Sequence, residues 1–284
     1  MNKIAEIAVI GGSGLYQIDE LKDKKEIKIK TPFGKTSDNL ISGKIYNTPV
    51  LFVPRHGRKH NILPGEIPHQ ANMWALKSLG VKTIISVSAV GSLKLELAPS
   101  HFVFPDQFVD ETKLRKATFF GDGCVAHVPM AHPFCMEYSK FMHKKAVELG
   151  IKSHLGGVYV CMEGPTFSTK AESDYHRKMG YSVIGMTVAS EAKVAREAGF
   201  HYVPVSLVTD YDCWKEGEEV DQGKVLETLN KNIENVRRLL VKVIGEMKNI
   251  KCNCGYENMM KTSLLTNRKF LSRAQINKLK LIIG

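Results

Sequence analysis

The sequence predicts an α/β protein: a single domain with a mixed central β-sheet and helices on both sides. Three observations predict it. Short apolar, β-branched runs alternate along the chain with stretches of helical periodicity, the pattern of strand–helix units. No long polar linker breaks that alternation before about residue 249. The 284 residues are 43% hydrophobic and 24% charged, enough to bury one large core without staples. The expected division is one domain over residues 1–250 and a basic tail over 251–284.

The elements follow in order. Ile7 to Ile10 reads as a first buried strand, ending in Gly11-Gly12-Ser13-Gly14. Asn39 to Ile45 and Pro49 to Val53 read as strands around a turn at Asn47. Ala71 to Leu79 is helical and stops at Gly80, a residue suited to the left-handed position after a helix. Thr83 to Val87 is a short β-branched strand, followed by the small residues Ser88-Ala89-Val90-Gly91-Ser92. Tyr138 to Leu149 is a helix, and Gly157 to Met162 a strand leading into Glu163-Gly164-Pro165. Ser182 to Met186 is a strand, Glu191 to Ala198 a helix closed by Gly199, and Tyr202 to Val208 a further strand. Pro204 is awkward for a central strand and easier near a strand's start. Lys224 to Met247 is a long amphipathic helix: Val225, Leu229, Ile233, Val236, Leu240, Val243 and Met247 recur at three- or four-residue spacing. In the tail, Ser272 and Gln275 have the spacing of a capping box opening a short helix.

Charge narrows the partners. The net charge is +11, but from Lys251 onward seven basic residues face one acid, Glu257. The tail thus holds +6 and the body only +5, which suits a small anion better than a nucleic-acid duplex. The apolar run at Ile7 is too short for a signal segment and no run is long enough to span a membrane, so the cytoplasm is expected. Six cysteines stand at 124, 135, 161, 213, 252 and 254. Most are expected as reduced intracellular thiols, and no Cys/His quartet has the linear spacing of a zinc site, so no metal is expected.

Chemistry is concentrated just past the strands. Asp210 and Asp212 follow the Tyr202–Val208 strand; if the extended geometry persists, they project together beyond its carboxyl end, where α/β sheets bind ligands. Asp also ends strands through turn chemistry alone. Gly11-Gly12-Ser13-Gly14 fails as a dinucleotide fingerprint, because the third glycine would fall at Gln17. It still lets backbone N–H groups and the Ser13 hydroxyl approach an anion. Arg55-His56-Gly57-Arg58-Lys59-His60 is a cationic loop after a strand, and an Arg fork matches phosphate oxygens. Ser88 and Thr187 add hydroxyl donors at two more strand ends. One site could hold an anion on Ser13, Arg55, His56, Ser88 and Thr187 and present two carboxyls at its other end.

Eight motifs in order resemble the 5′-methylthioadenosine phosphorylase family, from about residue 7 to residue 247. They are Ile10-Gly11-Gly12-Ser13-Gly14-Leu15, Thr31-Pro32-Phe33-Gly34-Lys35, Arg55-His56-Gly57-Arg58, Ala71-Asn72-Met73-Trp74-Ala75-Leu76-Lys77, Ser88-Ala89-Val90-Gly91-Ser92-Leu93, Asp106-Gln107-Phe108-Val109-Asp110, Glu163-Gly164-Pro165-Thr166-Phe167-Ser168 and Thr209-Asp210-Tyr211-Asp212-Cys213-Trp214-Lys215. The resemblance implies a nucleoside phosphorylase-like fold. It implies a trimer or a dimer of trimers, and phosphorolysis of methylthioadenosine to adenine and 5-methylthioribose 1-phosphate, with no cofactor and inorganic phosphate as co-substrate. It implies phosphate on Ser13, Arg55, His56, Ser88, the Ala89 backbone and Thr187. The nucleoside would contact Phe167, Ser168, Met186 and Tyr211. His127, from a neighbouring subunit, and Val225 and Leu226 would line the methylthio pocket. Asp210 and Asp212 would face the purine, Asp210 as the acid at N7 and Asp212 as reader of the exocyclic amino group, or the reverse. Two close carboxylates resist double ionisation, so one retains a proton.

The chain departs from the family pattern at Thr166, where an Arg is usual, at Ala189, where a Pro is usual, and near Ser100-His101, which lacks the usual Gly-Asp. Cys252-Asn253-Cys254 resembles a Cys-X-Cys tail that is oxidised in some thermophilic members, and the cysteines that accompany it there are replaced by Arg196 and His201. Three other functions compete: phosphorolysis of methylthioinosine or another purine nucleoside, a hydrolytic nucleosidase, and nucleic-acid binding through the basic tail. The paired acids oppose the first, the anion donors the second and the mildly basic body the third.

Overall fold

Residues 3–218, 222–247, 250 and 252–284 are described by the structure, a computed structural model. The side chains of Ser13, Gln222 and Lys224, and the whole of Lys251, lie outside the described residues. The strands are β1 Ile7–Gly11, β2 Lys22–Ile27, β3 Lys30–Thr31, β4 Gly34–Lys35, β5 Leu40–Ile45, β6 Thr48–Pro54, β7 Thr83–Ser92, β8 Phe102–Phe104, β9 Gln107–Asp110, β10 Ser153–Leu155, β11 Val158–Cys161, β12 Val183–Gly185 and β13 His201–Asp210. The helices are α1 His69–Ser78, α2 Met136–Glu148, α3 Lys170–Lys178, α4 Val188–Glu197, α5 Gln222–Met247, α6 Met260–Ser263 and α7 Arg273–Ile283.

The sheet is mixed, as the sequence predicts. Its order is β10-β8-β13-β7-β1-β6-β5-β2, with β12, β11 and β9 continuing from β7. β13, β7, β1 and β6 run parallel, so their carboxyl ends share one edge. β5 and β8 pair antiparallel with β6 and β13, and β12 antiparallel with β7. Strand alternation sorts the core into two layers. Ala8, Ile10, Leu51, Val53, Ile84 and Tyr202 face the layer built with α1, α4 and α7. Ile7, Val9, Val50, Phe52, Ile85, Val87, Val203 and Val205 face the layer built with α2 and α5. The hairpin at Asn47 is a two-residue turn, with φ 46° at Tyr46 and 63° at Asn47, the geometry that continues the right-handed twist of its strands.

Several boundaries differ from the sequence reading. β7 continues through Ser88 to Ser92, because those small residues pair with β12 and β13. α4 begins at Val188, three residues before Glu191. Pro204 is the fourth residue of a central strand. Its missing N–H falls on the β8 side, where pairing begins only at Ser206, and Tyr202 C=O on that side accepts from Cys135 N at 2.9 Å. β2, β8, β9, β10 and α3 were not anticipated: β2 is a charged edge strand, β8 and β10 span three residues each, and α3 buries only Ser173 and His176. The capping box at Ser272 and Gln275 forms and opens α7. Leu271, Leu279, Ile282 and Ile283 of that segment are buried in the layer shared with α1, so the described part of the tail packs on the sheet domain.

Glu197 closes α4 and is buried, accepting from Thr118 Oγ1 at 2.6 Å and Phe119 N at 2.7 Å. Burial outweighs those donors and pushes the carboxyl up to about 7. A carboxyl whose folded pKa is raised contributes fully below its unfolded value; that contribution is lost as pH rises through the folded one. Glu197→Gln is therefore expected to stabilise the protein near pH 8, by at most about 3 kcal/mol, and far less near pH 5. Melting temperatures at the two pH values check this; an equal shift at both would refute it.

Candidate active site

The carboxyl edge shared by β13, β7, β1 and β6 gathers most of the residues singled out in the sequence. Asp210 ends β13, after an irregularity in its pairing with β7 between Val208 and Asp210. The chain does not stay extended beyond it. Asp212 adopts φ 52°, a left-handed turn, which corrects the expected alternation. The two residues are tied by another route: Asp212 N–H donates to Asp210 Oδ1 at 2.8 Å, and Thr209 Oγ1 donates to Oδ2 at 2.6 Å. Both aspartates press on Gly91, where an added methyl would lie 3.1 Å from Asp210 Oδ1 and 3.3 Å from Asp212 Cβ. Only glycine leaves that approach free. Trp214 Nε1 donates to Ser92 O at 2.7 Å and Tyr211 OH to Leu95 O at 3.1 Å, fastening the turn to the end of β7. Arg177 lies over the Trp214 ring at 3.8 Å.

Both carboxyls are held above the ordinary Asp range. For Asp210 burial is the main cause, opposed by Thr209 and the Asp212 N–H, with the Asp212 charge adding to the rise. For Asp212 burial again leads, opposed by the hydroxyls of Ser173 and Ser168 and by the His176 ring. Asp212 is 4% exposed, and its Oδ2 has no hydrogen-bond partner. Ser173 Oγ, also buried and unpartnered, stands beside it, so this carboxyl can take a hydroxyl or a ligand N–H.

The other end is built from donors. Arg55 N donates to Gly11 O at 2.9 Å, which sets the loop after β6 beside the loop after β1. Arg55 itself is 2% exposed and ion-paired with Glu191, Nε to Oε2 at 2.9 Å and Nη2 to Oε1 at 3.1 Å. Its Nη1 donates to Val87 O at 2.8 Å and its Nη2 to Ser86 Oγ at 2.8 Å. All three guanidinium nitrogens therefore already donate to protein. Arg58 is tied to Glu26 and Asp38, so the cationic loop is partly neutralised. His56 Nδ1 lies 2.9 Å from Ile62 O and must carry the proton there. Burial, then the Arg55 charge, push the ring down to about 4. It is neutral near pH 7, and Nε2 presents a lone pair.

Ser88 Oγ and Thr187 Oγ1 are buried without partners, as is Tyr159 OH. Burial pushes the Tyr159 phenol up, and the Thr187 backbone and Ser88 hydroxyl beside it oppose the rise. The Thr187 backbone and the Ser88 hydroxyl thus both lie beside the Tyr159 phenol, which brings the end of β12 to β7. Ser13 opens a 3-10 turn after β1; its side chain lies outside the described residues. Met186 O accepts from Arg115, whose Nη2 also donates to Met162 O at 3.2 Å and whose Nε donates to Glu163 at 2.9 Å. Arg115 thus brings a cation to the loop that carries Thr166.

Ser168 joins the carboxyl end, its C=O accepting from Cys213 Sγ at 3.3 Å. Phe167 is 53% exposed beside it. Val225 and Leu226 sit on the first turn of α5, two turns before Asn232, which donates to Val208 O at 2.9 Å. His127 is exposed, its N–H donating to Ser263 O at 2.9 Å, and the single chain does not bring it to the other residues. Glu191, Ser86, Tyr159 and Arg115 were not anticipated; only Glu191 had a local signal, an acid in the first turn of a helix.

Residues 6–245 match the model of the Phosphorylase superfamily. The chain is 48% identical over 282 residues to the S-methyl-5′-thioadenosine phosphorylase of Koribacter versatilis, covering 99% of this chain and 96% of that one. It is 42% identical to the enzyme of the same name from Geobacter sulfurreducens, covering 98% of each. Among solved structures it is similar to a methylthioadenosine phosphorylase from an antarctic soil metagenomic library, with TM-score 0.94, 41% identity and 99% and 100% of the two chains covered. The methylthioadenosine phosphorylase of Schistosoma mansoni in complex with adenine aligns with TM-score 0.86 and 34% identity, covering 91% of this chain and 99% of that one.

Proposed function

The chain belongs to the phosphorylase superfamily, and we propose that it cleaves S-methyl-5′-thioadenosine with inorganic phosphate, giving adenine and 5-methylthioribose 1-phosphate. The observation that carries this reading is the pairing of half-buried Asp210 with buried Asp212, set across one strand edge from a group of unpartnered hydroxyls.

As the C1′–N9 bond breaks, the ribose gains positive character and the purine negative charge. A protonated Asp210 beside N7 neutralises the leaving base, since burial and the neighbouring Asp212 charge favour its protonated form. Asp212 Oδ2, an open acceptor, receives the exocyclic amino group. A 6-oxopurine would set an acceptor against it and be disfavoured. Ser88, Thr187 and the backbone at Ala89 donate to phosphate, with Ser13 at the end of β1 and Arg55 behind. His56 Nε2 accepts from a phosphate hydroxyl. A phosphate oxygen then forms the new bond to C1′, and its charge steadies the cation. No atom changes oxidation state, so the step calls for no redox cofactor. Phe167, Ser168, Met186 and Tyr211 bound the nucleoside, and Val225 and Leu226 close the methylthio end. His127 completes that pocket from a second copy of the chain in a trimer or dimer of trimers. The enzyme works in the cytoplasm. Among the described residues no helix is long and apolar enough to cross a membrane.

The test is adenine release from methylthioadenosine with and without phosphate. Release that requires phosphate is expected. Equal release in phosphate-free buffer would replace phosphorolysis with hydrolysis, and turnover confined to inosine-type nucleosides would overturn the reading of the acid pair.

A further inference from the structure

The far end of β13 gathers four side chains that the active site does not use. Cys135 caps α2, His201 opens β13, and Cys252 and Cys254 follow α5. Cys252 Sγ lies 3.3 Å from Cys135 Sγ and 3.3 Å from Cys254 Sγ, and Cys254 Sγ lies 3.0 Å from His201 Nδ1. All four ligand atoms lie within 4.8 Å of one another. We propose that Cys135, His201, Cys252 and Cys254 bind one thiophilic divalent cation, zinc, as a structural site.

The donor set is three thiols and one imidazole, a known structural-zinc combination. A tetrahedron with arms of about 2.3 Å to sulfur and 2.0–2.1 Å to nitrogen has edges of roughly 3.5–3.8 Å. The three closest spacings, 3.3, 3.3 and 3.0 Å, reach that with outward shifts of about half an ångström, and the remaining pairs, all within 4.8 Å, bracket it from the other side. A disulfide would engage two sulfurs and leave the third thiol and the imidazole without a role. The residues come from positions 135, 201, 252 and 254, so the Cys-X-Cys pair is the one part of the set that a linear motif shows.

The surroundings are built to hold these ligands. His201 turns Nε2 toward Glu257 Oε2 at 3.6 Å while Nδ1 faces the sulfurs, the carboxylate–imidazole–metal arrangement. Cys135 N donates to Tyr202 O at 2.9 Å, locking the cap of α2 to β13. Asn253 N donates to Glu137 Oε2 at 3.1 Å, locking the Cys-X-Cys turn to α2. Tyr256 OH donates toward His132 O and Phe134 O at 3.0 and 3.1 Å. Three thiol protons leave on binding, so the loaded site carries a net charge of about −1. Arg196 lies over the Tyr256 ring at 3.6 Å, within electrostatic reach of Cys135 and Cys254. His201 also lines a cleft of about 500 Å³ with Thr83, Tyr138 and Ile250. The site lies at the opposite end of a ten-residue strand from Asp210, roughly 30 Å away. The cation would bind the described tail segment to α2 and β13 and take no part in the reaction.

The experiment counts metal directly. Full-length protein purified under reducing conditions is expected to hold about one zinc per chain by elemental mass spectrometry. Cobalt exchanged into it should show the visible bands of tetrahedral thiolate coordination. Chelation should lower the melting temperature, and added zinc should restore it. Cys252→Ser/Cys254→Ser should reduce zinc to below about a tenth per chain, while His201→Cys should keep it. Zinc-free protein that neither takes up added zinc nor gives the cobalt bands would overturn the proposal, and so would protein isolated with an intact Cys252–Cys254 disulfide. The cobalt titration uses the unaltered chain, so a poorly folding variant does not blunt the test. Because none of these readouts is activity, they stand or fall independently of the proposed reaction.

Discussion

Replacing Asp210 with Asn is expected to lower kcat/KM for methylthioadenosine by at least about tenfold, about 1.4 kcal/mol of transition-state stabilisation. Asn has nearly the shape of Asp and can accept from Thr209 Oγ1 or the Asp212 N–H, the two contacts that now orient Asp210. It can also offer an N–H to N7, but it cannot transfer a proton to the departing base. The loss should therefore fall on kcat more than on KM. The pH profile adds a readout that a packing defect would not change. Asp210 is raised by burial and by the Asp212 charge, and the acid role proposed for it requires the protonated form. Activity of the unaltered chain is lost as pH rises through that raised value, and this alkaline limb should be absent in Asp210→Asn. Asp212→Asn, at the end proposed to read the amino group, should instead relax discrimination against 6-oxopurines. An unchanged kcat with the alkaline limb intact would remove Asp210 from the acid role.

Much of this site was legible because its parts are local. A strand followed by small or polar residues can be recognised within ten positions, and the carboxyl ends of β1, β6, β7 and β13 each carried such a signal. Parallel pairing then put Ser88, Arg55 and Asp210 on one edge. What could not be read was pairing across long stretches of chain. Glu191 lies 136 positions from Arg55, and nothing near either residue announces the other. The same holds for Arg115 with Met186 and for Cys135 with Cys252. Small residues misled once: Ser88 to Ser92 read as lying just past a strand but continue β7, because strand neighbours on both sides supply hydrogen bonds that composition does not reveal. The long helix over Lys224 to Met247 was legible for the opposite reason, its apolar spacing being wholly internal.

Glu191→Ala is expected to cost about 3–5 kcal/mol of stability, the scale for stripping one partner from a buried ion pair. Glu191 is 1% exposed and Arg55 2%. The carboxylate accepts from Arg55 Nε and Nη2, from Ser86 Oγ at 2.5 Å and from Tyr202 OH at 2.8 Å. Burial alone would raise it; the Arg55 charge and hydrogen bonds overrule burial and hold it near 2. Its contribution is present above its unfolded pKa and is lost as pH falls through about 4.5 toward 2. Alanine strands a guanidinium and two hydroxyls where water does not reach. Gln keeps the shape and some acceptors, so it should cost less, but it removes the charge that orients Arg55. Glu191→Gln should therefore raise KM for phosphate more than KM for the nucleoside. Denaturation midpoints and paired KM values decide the matter. A cost below about 1 kcal/mol for Glu191→Ala would mean that Arg55 finds another partner and that the pair does not hold the phosphate end in place.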